Sequence, residues 1–421
     1  VVSPELAVEN AVAIEGNHLS LGEERIAVSR DSRLLPIAIG KAAVPMARGL
    51  VKRLGNRLEP GVILTKDGHA DGAPGGWQVF EASHPVPDQR GVEASMAICD
   101  LVTTLNERDV AIVLVSGGGS ALLELPKSPL DLSHIQDVTR LMLQAGAPIQ
   151  DLNAVRSELS EVKGGGLRRL IGRATCISVI LSDVLGNDPK VIASGPTISR
   201  EADPGRALEL LRAYGLMDHV PSEVIDLLER EPGESPQVNQ RDAFVVVADN
   251  DRLVDAVAEH ARMAGFQVDV VDRQVEGEAR EVAAWFLAQS KQSNADAVIA
   301  GGELTVTVRG DGAGGRNTEF ALAAALELER GGQQDLVIAS LASDGQDGAV
   351  DAAGAIVDDG SAGRIRAAGE DPERALDRND SGSALKLAGD LVVPGPTGTN
   401  VNDVYVAIPA SPQGGTMAKD S

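Results

Sequence analysis

The sequence predicts an α/β protein of two domains, with a doubly wound, mostly parallel sheet carrying helices on both faces, and three observations support this. Its 421 residues exceed what one hydrophobic core usually encloses. Short runs rich in Val and Ile alternate with amphipathic segments of helix length, the pattern of repeated strand-helix-strand units. Several of those runs end in glycine or an acidic residue, at the edge where open α/β sheets place ligands.

In chain order, strands are predicted at 35–39, 62–65, 110–116, 174–181, 243–248, 268–271, 297–300, 304–309 and 336–341. Helices are predicted at 92–106, 207–214, 251–264 and 317–329. The polar stretch 230–241 contains Pro232, Gly233 and Pro236 and reads as the linker, so the expected domains are 1–235 and 236–421. A cleft between two such domains is an expected place for chemistry.

Composition narrows the function. Aromatic residues make up only 2% of the chain, so Val, Leu, Ile and Ala must fill the cores, and stacking on nucleic-acid bases is disfavoured. A net charge of -24 repels phosphate backbones and anionic membranes, so neither nucleic acid nor a membrane surface is an expected partner. Small anionic substrates then need local cations. Only nine of the 38 basic residues are lysines, an acid-rich, lysine-poor balance that suits a salt-adapted source; an ordinary acidic enzyme is the alternative. Cys99 and Cys176 lie in apolar surroundings without CxxC spacing and read as buried packing. Every long apolar run is broken by Gly, Asp or Arg and no leader is evident, so a cytoplasmic protein is expected.

Chemistry concentrates in a few segments. A predicted strand runs directly into Ser116, Gly117, Gly118, Gly119 and Ser120, where glycines let backbone amides approach an anion; the alternative is a glycine-rich tight turn. Lys41 follows another strand in IAIGKAA, a place where an ammonium can neutralise charge on a transferring phosphoryl group and where the helix dipole disfavours an idle cation. A second glycine-rich element, GGELTVTVRGDGAGGRNTEF, ends in Arg316, whose forked donors match phosphate oxygens or simply an acidic neighbour. The same loop fits GxGxxG through Gly310, Gly312 and Gly315, which keeps a dinucleotide-dependent oxidoreductase open. Asp183, Glu303, Asp344 and Asp347 supply hard oxygens suited to Mg²⁺, with Asp-Gly turns as the bland reading and an EF-hand disfavoured for lack of ligands. His84, between Ser83 and Pro85, reads equally as structural or catalytic. No P-loop, HExxH or GxSxG sequence occurs.

In order, GKAA, HPVPD, SGGGSALL, LNAVRSELSEVKGGGL, LSDVLGNDPKVIASGPT, GGELTVTVRGDGAGGRN, SDGQDG and GPTGTNVND resemble the glycerate 2-kinase family with its C-terminal MOFRL domain, from about Lys41 to Asp403. That resemblance implies a larger Rossmann-like N-terminal domain and a smaller α/β C-terminal domain, with the MOFRL region at about 299–408, facing each other across a cleft. It implies transfer of phosphate from ATP to D-glycerate with Mg²⁺, in a monomer or homodimer. Lys41, Arg316 and Asp183 are the expected catalytic residues. The SGGGS residues and Lys163 are expected at the nucleotide; Asn153, Arg156 and Asp344 at the substrate; Asp183, Glu303 and Asp344 at the metal. Because members of the family are sometimes labelled hydroxypyruvate reductases, an NAD(P)H-dependent reductase is the alternative enzyme, and a noncatalytic sensor the alternative class.

Overall fold

Six apolar runs before residue 249 associate laterally because most are buried on both faces, as strands of a parallel sheet must be. They are β1 (Leu34–Ile39), β2 (Val62–Lys66), β3 (Gln78–Ala82), β4 (Val110–Val115), β5 (Thr175–Leu181) and β6 (Ala243–Ala248). Every residue of β1, β4 and β5 is buried, and side chains such as Ile37, Val113 and Ile177 each contribute roughly 1.5–3 kcal/mol through burial. The computed structural model describes residues 2–230, 241–331 and 335–410.

All pairings in this sheet are parallel and the order is β3-β2-β1-β4-β5-β6. That is the order of a Rossmann-type doubly wound sheet. Strand β3 escapes the sequence reading because its residues QVFEA alternate in character and lie half exposed at the edge. Helices Ala43–Leu54 and Gln89–Val102 follow β1 and β3; Asp88 caps the second by accepting from the Gly91 amide. Four further helices, Leu132–Gln144, Ile149–Leu159, Pro204–Ala213 and Ser222–Leu228, share a separate apolar core around Val138, Leu159, Leu211 and Val224.

The chain divides after Ala248 rather than at 235, because β6 pairs with β5 and so completes the first sheet. Most of the expected linker, 231–240, lies outside the described residues.

The second unit has its own six-stranded sheet: β7 (Val268–Glu278), β8 (Ala297–Thr305), β9 (Leu336–Ala342), β10 (Gly354–Val357), β11 (Leu391–Val392) and β12 (Asp403–Pro409). Their order is β7-β8-β12-β9-β10-β11, with only β7 and β8 parallel. Two expected strands, 297–300 and 304–309, are therefore one strand that ends at Thr305. Gly301 and Gly302 do not interrupt it. They are the residues that fit, since a Cβ at Gly302 would stand 2.1 Å from the Val275 carbonyl oxygen and one at Gly301 would stand 2.1 Å from Asn250 Oδ1. The scarce aromatics gather here, with Phe320 and Tyr405 ring centres 4.8 Å apart beside Phe286.

Candidate active site

In a sheet of this order, the connections leaving β1 and β4 run in opposite directions, which opens a crevice outside their C-terminal ends. Chain leaving β1 becomes Gly40 and Lys41; chain leaving β4 becomes the SGGGS loop. The two are laced together. Lys41 donates its backbone N–H to the Gly117 carbonyl at 2.9 Å, and Ala42 donates to Ser116 Oγ at 3.1 Å. Gly40 has φ of +116°, and a Cβ there would lie 2.3 Å from Ser116 Oγ, so only glycine permits this approach. Ser116 itself is buried and its hydroxyl serves this lacing.

The three loop glycines are each pressed by a different side chain. A Cβ on Gly117 would stand 2.2 Å from Asp183 Oδ2; on Gly118, 3.1 Å from the His84 ring and 3.2 Å from Lys41 Cγ; on Gly119, 2.7 Å from the Ala193 methyl. Lys41, Asp183 and His84, which follow β1, β5 and β3, thus converge on one loop. His84 belongs here, and it is held neutral: burial first, then Lys41, Lys66 and His69, pull its imidazole down to about 4. The helix after the loop is only the turn Gly119–Leu122, so an anion here is served by amides more than by a helix dipole. Among the described residues no backbone acceptor takes up the Gly117 or Gly118 amide. Gly117→Ala should push the Asp183 carboxylate aside and lower turnover at least about tenfold, with little change in thermal midpoint. Full activity in that variant would show that Asp183 is free to sit elsewhere.

Beneath the loop lies a buried ion cluster. Lys163 donates to the Leu123 carbonyl at 2.6 Å and to Glu124 at 2.8 Å, while Arg156 donates to the Ser120 carbonyl at 3.0 Å and to Glu124 at 3.3 Å. Burial pulls the Lys163 ammonium down to about 8, against the attraction of Glu124. For Glu124, burial acts to raise the carboxyl, but Lys163 and Arg156 outweigh it and the net shift is downward. Lys163 has no exposed side-chain surface. Expected at the nucleotide, it instead supports the loop from below, because only a buried carboxylate compensates a cation at that depth. Arg156 shares that task and is nearly as buried. Asn153 is partly exposed and approaches Ser194, with Oδ1 at 3.5 Å from its hydroxyl. Glu124→Ala leaves two buried cations unpaired and should cost about 3–5 kcal/mol in urea unfolding; an unchanged midpoint would mean the cluster is idle.

In the second unit, Arg316 stands at the first turn of helix Arg316–Arg330. Its guanidinium grips Asp403 with Nε at 2.5 Å and Nη2 at 3.1 Å, and Glu303 through Nη1 at 2.6 Å. Burial pushes the Asp403 carboxyl up to about 6 against the pull of Arg316. Asp403 was not among the expected site residues; its signal was the terminal acid of GPTGTNVND, set directly before an apolar strand. Glu303, expected at a metal, has its oxygens engaged by Arg316 and Asn402. Asp344 lies in the turn after β9 and accepts from the Gln346 amide. Asp347 is buried and accepts from the Asn317 and Thr318 amides, which makes it the cap of the Arg316 helix. Among the described residues no group of three His, Cys, Asp or Glu side chains gathers as a metal cage.

The GxGxxG match has a different cause from a dinucleotide site. Amides of Arg309 and Gly310 donate to Asn379 Oδ1, that of Gly312 to the Arg378 carbonyl, and that of Ala313 to Asp380. Residues 378–380 therefore occupy the space a pyrophosphate would need, and a Cβ at Gly310 would lie 2.4 Å from Arg378 O.

An open Rossmann-type sheet with a glycine-rich loop at its switch point, followed by a separate mixed α/β unit, defines the class: a two-unit α/β protein with the crevice where such sheets place ligands. Residues 1–229 match the family described as a domain of unknown function, DUF4147, and residues 296–403 match the MOFRL family. The D-glycerate 2-kinase of Thermotoga maritima is 38% identical over 89% of this chain and 90% of its own length. A crystal structure of glycerate kinase from Thermotoga maritima superposes with a TM-score of 0.84 at 37% identity, covering 90% of this chain and 92% of that one. An Agrobacterium vitis relative, 37% identical over 88% of this chain and 98% of its own, is provisionally named a hydroxypyruvate reductase. The chain belongs to the glycerate 2-kinase family. Among the described residues no helix is long and apolar enough to cross a membrane.

Proposed function

We propose that this chain transfers the γ-phosphoryl group of ATP to the 2-hydroxyl of D-glycerate. The observation that carries the reading is the fastening of Lys41 to the SGGGS loop at the switch point, with Asp183 against Gly117. Amides of Gly117 and Gly118 and the hydroxyl of Ser120 take the nucleotide's phosphates. Lys41 stabilises the charge that moves onto the leaving oxygen as the hydroxyl oxygen bonds to phosphorus, its proton passes to solvent and the bond to ADP breaks; positioning and electrostatics supply most of the acceleration. The family resemblance adds Arg316, pre-oriented by Asp403 and Glu303, as a further cation for the transfer. Asp183 is the hard oxygen donor at the loop that would hold Mg²⁺, which neutralises phosphate charge when bound and needs few protein ligands. Support for the substrate comes from the Thermotoga relative's name.

Incubation with D-glycerate, ATP and Mg²⁺, followed by phosphorus NMR, tests the proposal: 2-phosphoglycerate and ADP are expected. A 3-phosphorylated product overturns the regiochemistry, and no product overturns the substrate. The Agrobacterium relative's name favours a reductase as the second reading. The filled loop at 309–313 weighs against it, and oxidation of NADH by hydroxypyruvate with the pure protein would decide for it.

A further inference from the structure

We propose that Ser194 is a positioning residue for the nucleotide phosphates, acting through the hydroxyl of Ser120; this rests on reading the SGGGS loop as the phosphate cradle. Three successive residues hold the left-handed backbone region: Ala193 at φ +50°, Ser194 at +62° and Gly195 at +57°. Residues other than glycine rarely adopt it, and two of these three carry a Cβ. Backbone bonding explains the turn without explaining the serine. Ser194 donates its amide to the Val191 carbonyl at 2.9 Å and accepts from the Gly164 amide at 2.9 Å, and glycine would keep both bonds with less strain.

What glycine would lose is the hydroxyl. Ser194 Oγ lies 2.9 Å from Ser120 Oγ and 3.5 Å from Asn153 Oδ1. Ser194 is buried while Ser120 is partly exposed, so the pair connects a fixed interior hydroxyl to one at the loop surface. The Ser194 hydroxyl has one hydrogen to give, and Ser120 Oγ at 2.9 Å is a nearer acceptor than Asn153 Oδ1 at 3.5 Å; given to Ser120, it leaves the Ser120 hydrogen for a phosphate oxygen and restricts its rotamer. The neighbouring Ala193 methyl presses on Gly119, which holds the same turn against the loop.

Steady-state kinetics on Ser194→Gly, Ser120→Ala and the double variant test this. Ser194→Gly should raise the KM for ATP by about three- to tenfold, the loss of one hydrogen bond's influence, while kcat stays within about twofold. Its thermal midpoint should not fall, since glycine relieves the strained backbone. Placed on Ser120→Ala, the same change should add nothing further, as expected when one residue acts through the other. An unaltered KM in Ser194→Gly, or a full additive effect in the double variant, overturns the proposal. If the parent protein shows no saturable dependence on ATP, the phosphate-cradle reading itself fails, and the proposal with it.

Discussion

Lys41→Ala is expected to lower kcat by about 10²–10³-fold or more while the thermal midpoint moves by only a few degrees. Both halves follow from how the residue is held. Its backbone carries the structural work, through the amide bond to Gly117 and the Ser116 lacing of Ala42, and alanine retains both. No ion pair of the ammonium is recorded among the described residues, so its removal is not expected to strand a buried charge. On the proposed reading, this cation beside the glycine loop acts on the charge that develops during transfer. Turnover at saturating ATP and D-glycerate, together with a melting curve, checks the prediction. A variant within tenfold of the parent would remove Lys41 from the mechanism.

Arg316→Ala should lose activity on a similar scale and also lose stability, about 3–5 kcal/mol, because it strands the buried Asp403 carboxylate. The stability deficit should depend on pH. Burial already raises the Asp403 carboxyl to about 6 with Arg316 present. Without the cation the carboxyl must rise further. A group whose folded value is raised stabilises most below its unfolded value, near 4, and that contribution is lost as pH climbs through the folded value. The deficit relative to the parent should therefore be small near pH 5 and largest near pH 8. Asp403→Asn in the same chain should restore much of the stability, because the stranded charge is gone. Restored stability with activity still absent assigns Arg316 to the chemistry; restored activity would reduce it to a structural pair.

The buried strands of the parallel sheet, the doubly wound class and the two glycine-rich elements were legible in the sequence because each depends on local pattern, whereas the edge strand β3 and the strands β10 to β12 were not. Apolar runs such as VAIVLV must be buried on both faces wherever they fold, and a glycine triplet at the end of one has to sit at a strand terminus. The switch point was only half legible. Lys41 and SGGGS each announced themselves, but their fastening depends on the side-by-side placement of β1 and β4, which are far apart in the chain. His84 was noticed without being placed, since nothing local to HPVPD tells that it lies against Gly118.

Residue chemistry and local periodicity thus determined which segments fold as strands, which loops carry glycine and which side chains carry charge. Only the tertiary structure decided which of those charges are sealed in the interior and which stay partly exposed. Lys163 and Arg316 look alike as cations in glycine-rich surroundings, yet one is sealed against Glu124, 39 positions away, and the other stays partly exposed against Asp403, 87 positions away. Likewise Gly310, Gly312 and Gly315 satisfy a ligand motif, yet the first two pack against residues 378–380 and the third against Asp347. The physical reason is common to all of these cases. Burial and charge compensation are set by neighbours brought in from elsewhere in the chain, and a local pattern carries no record of them.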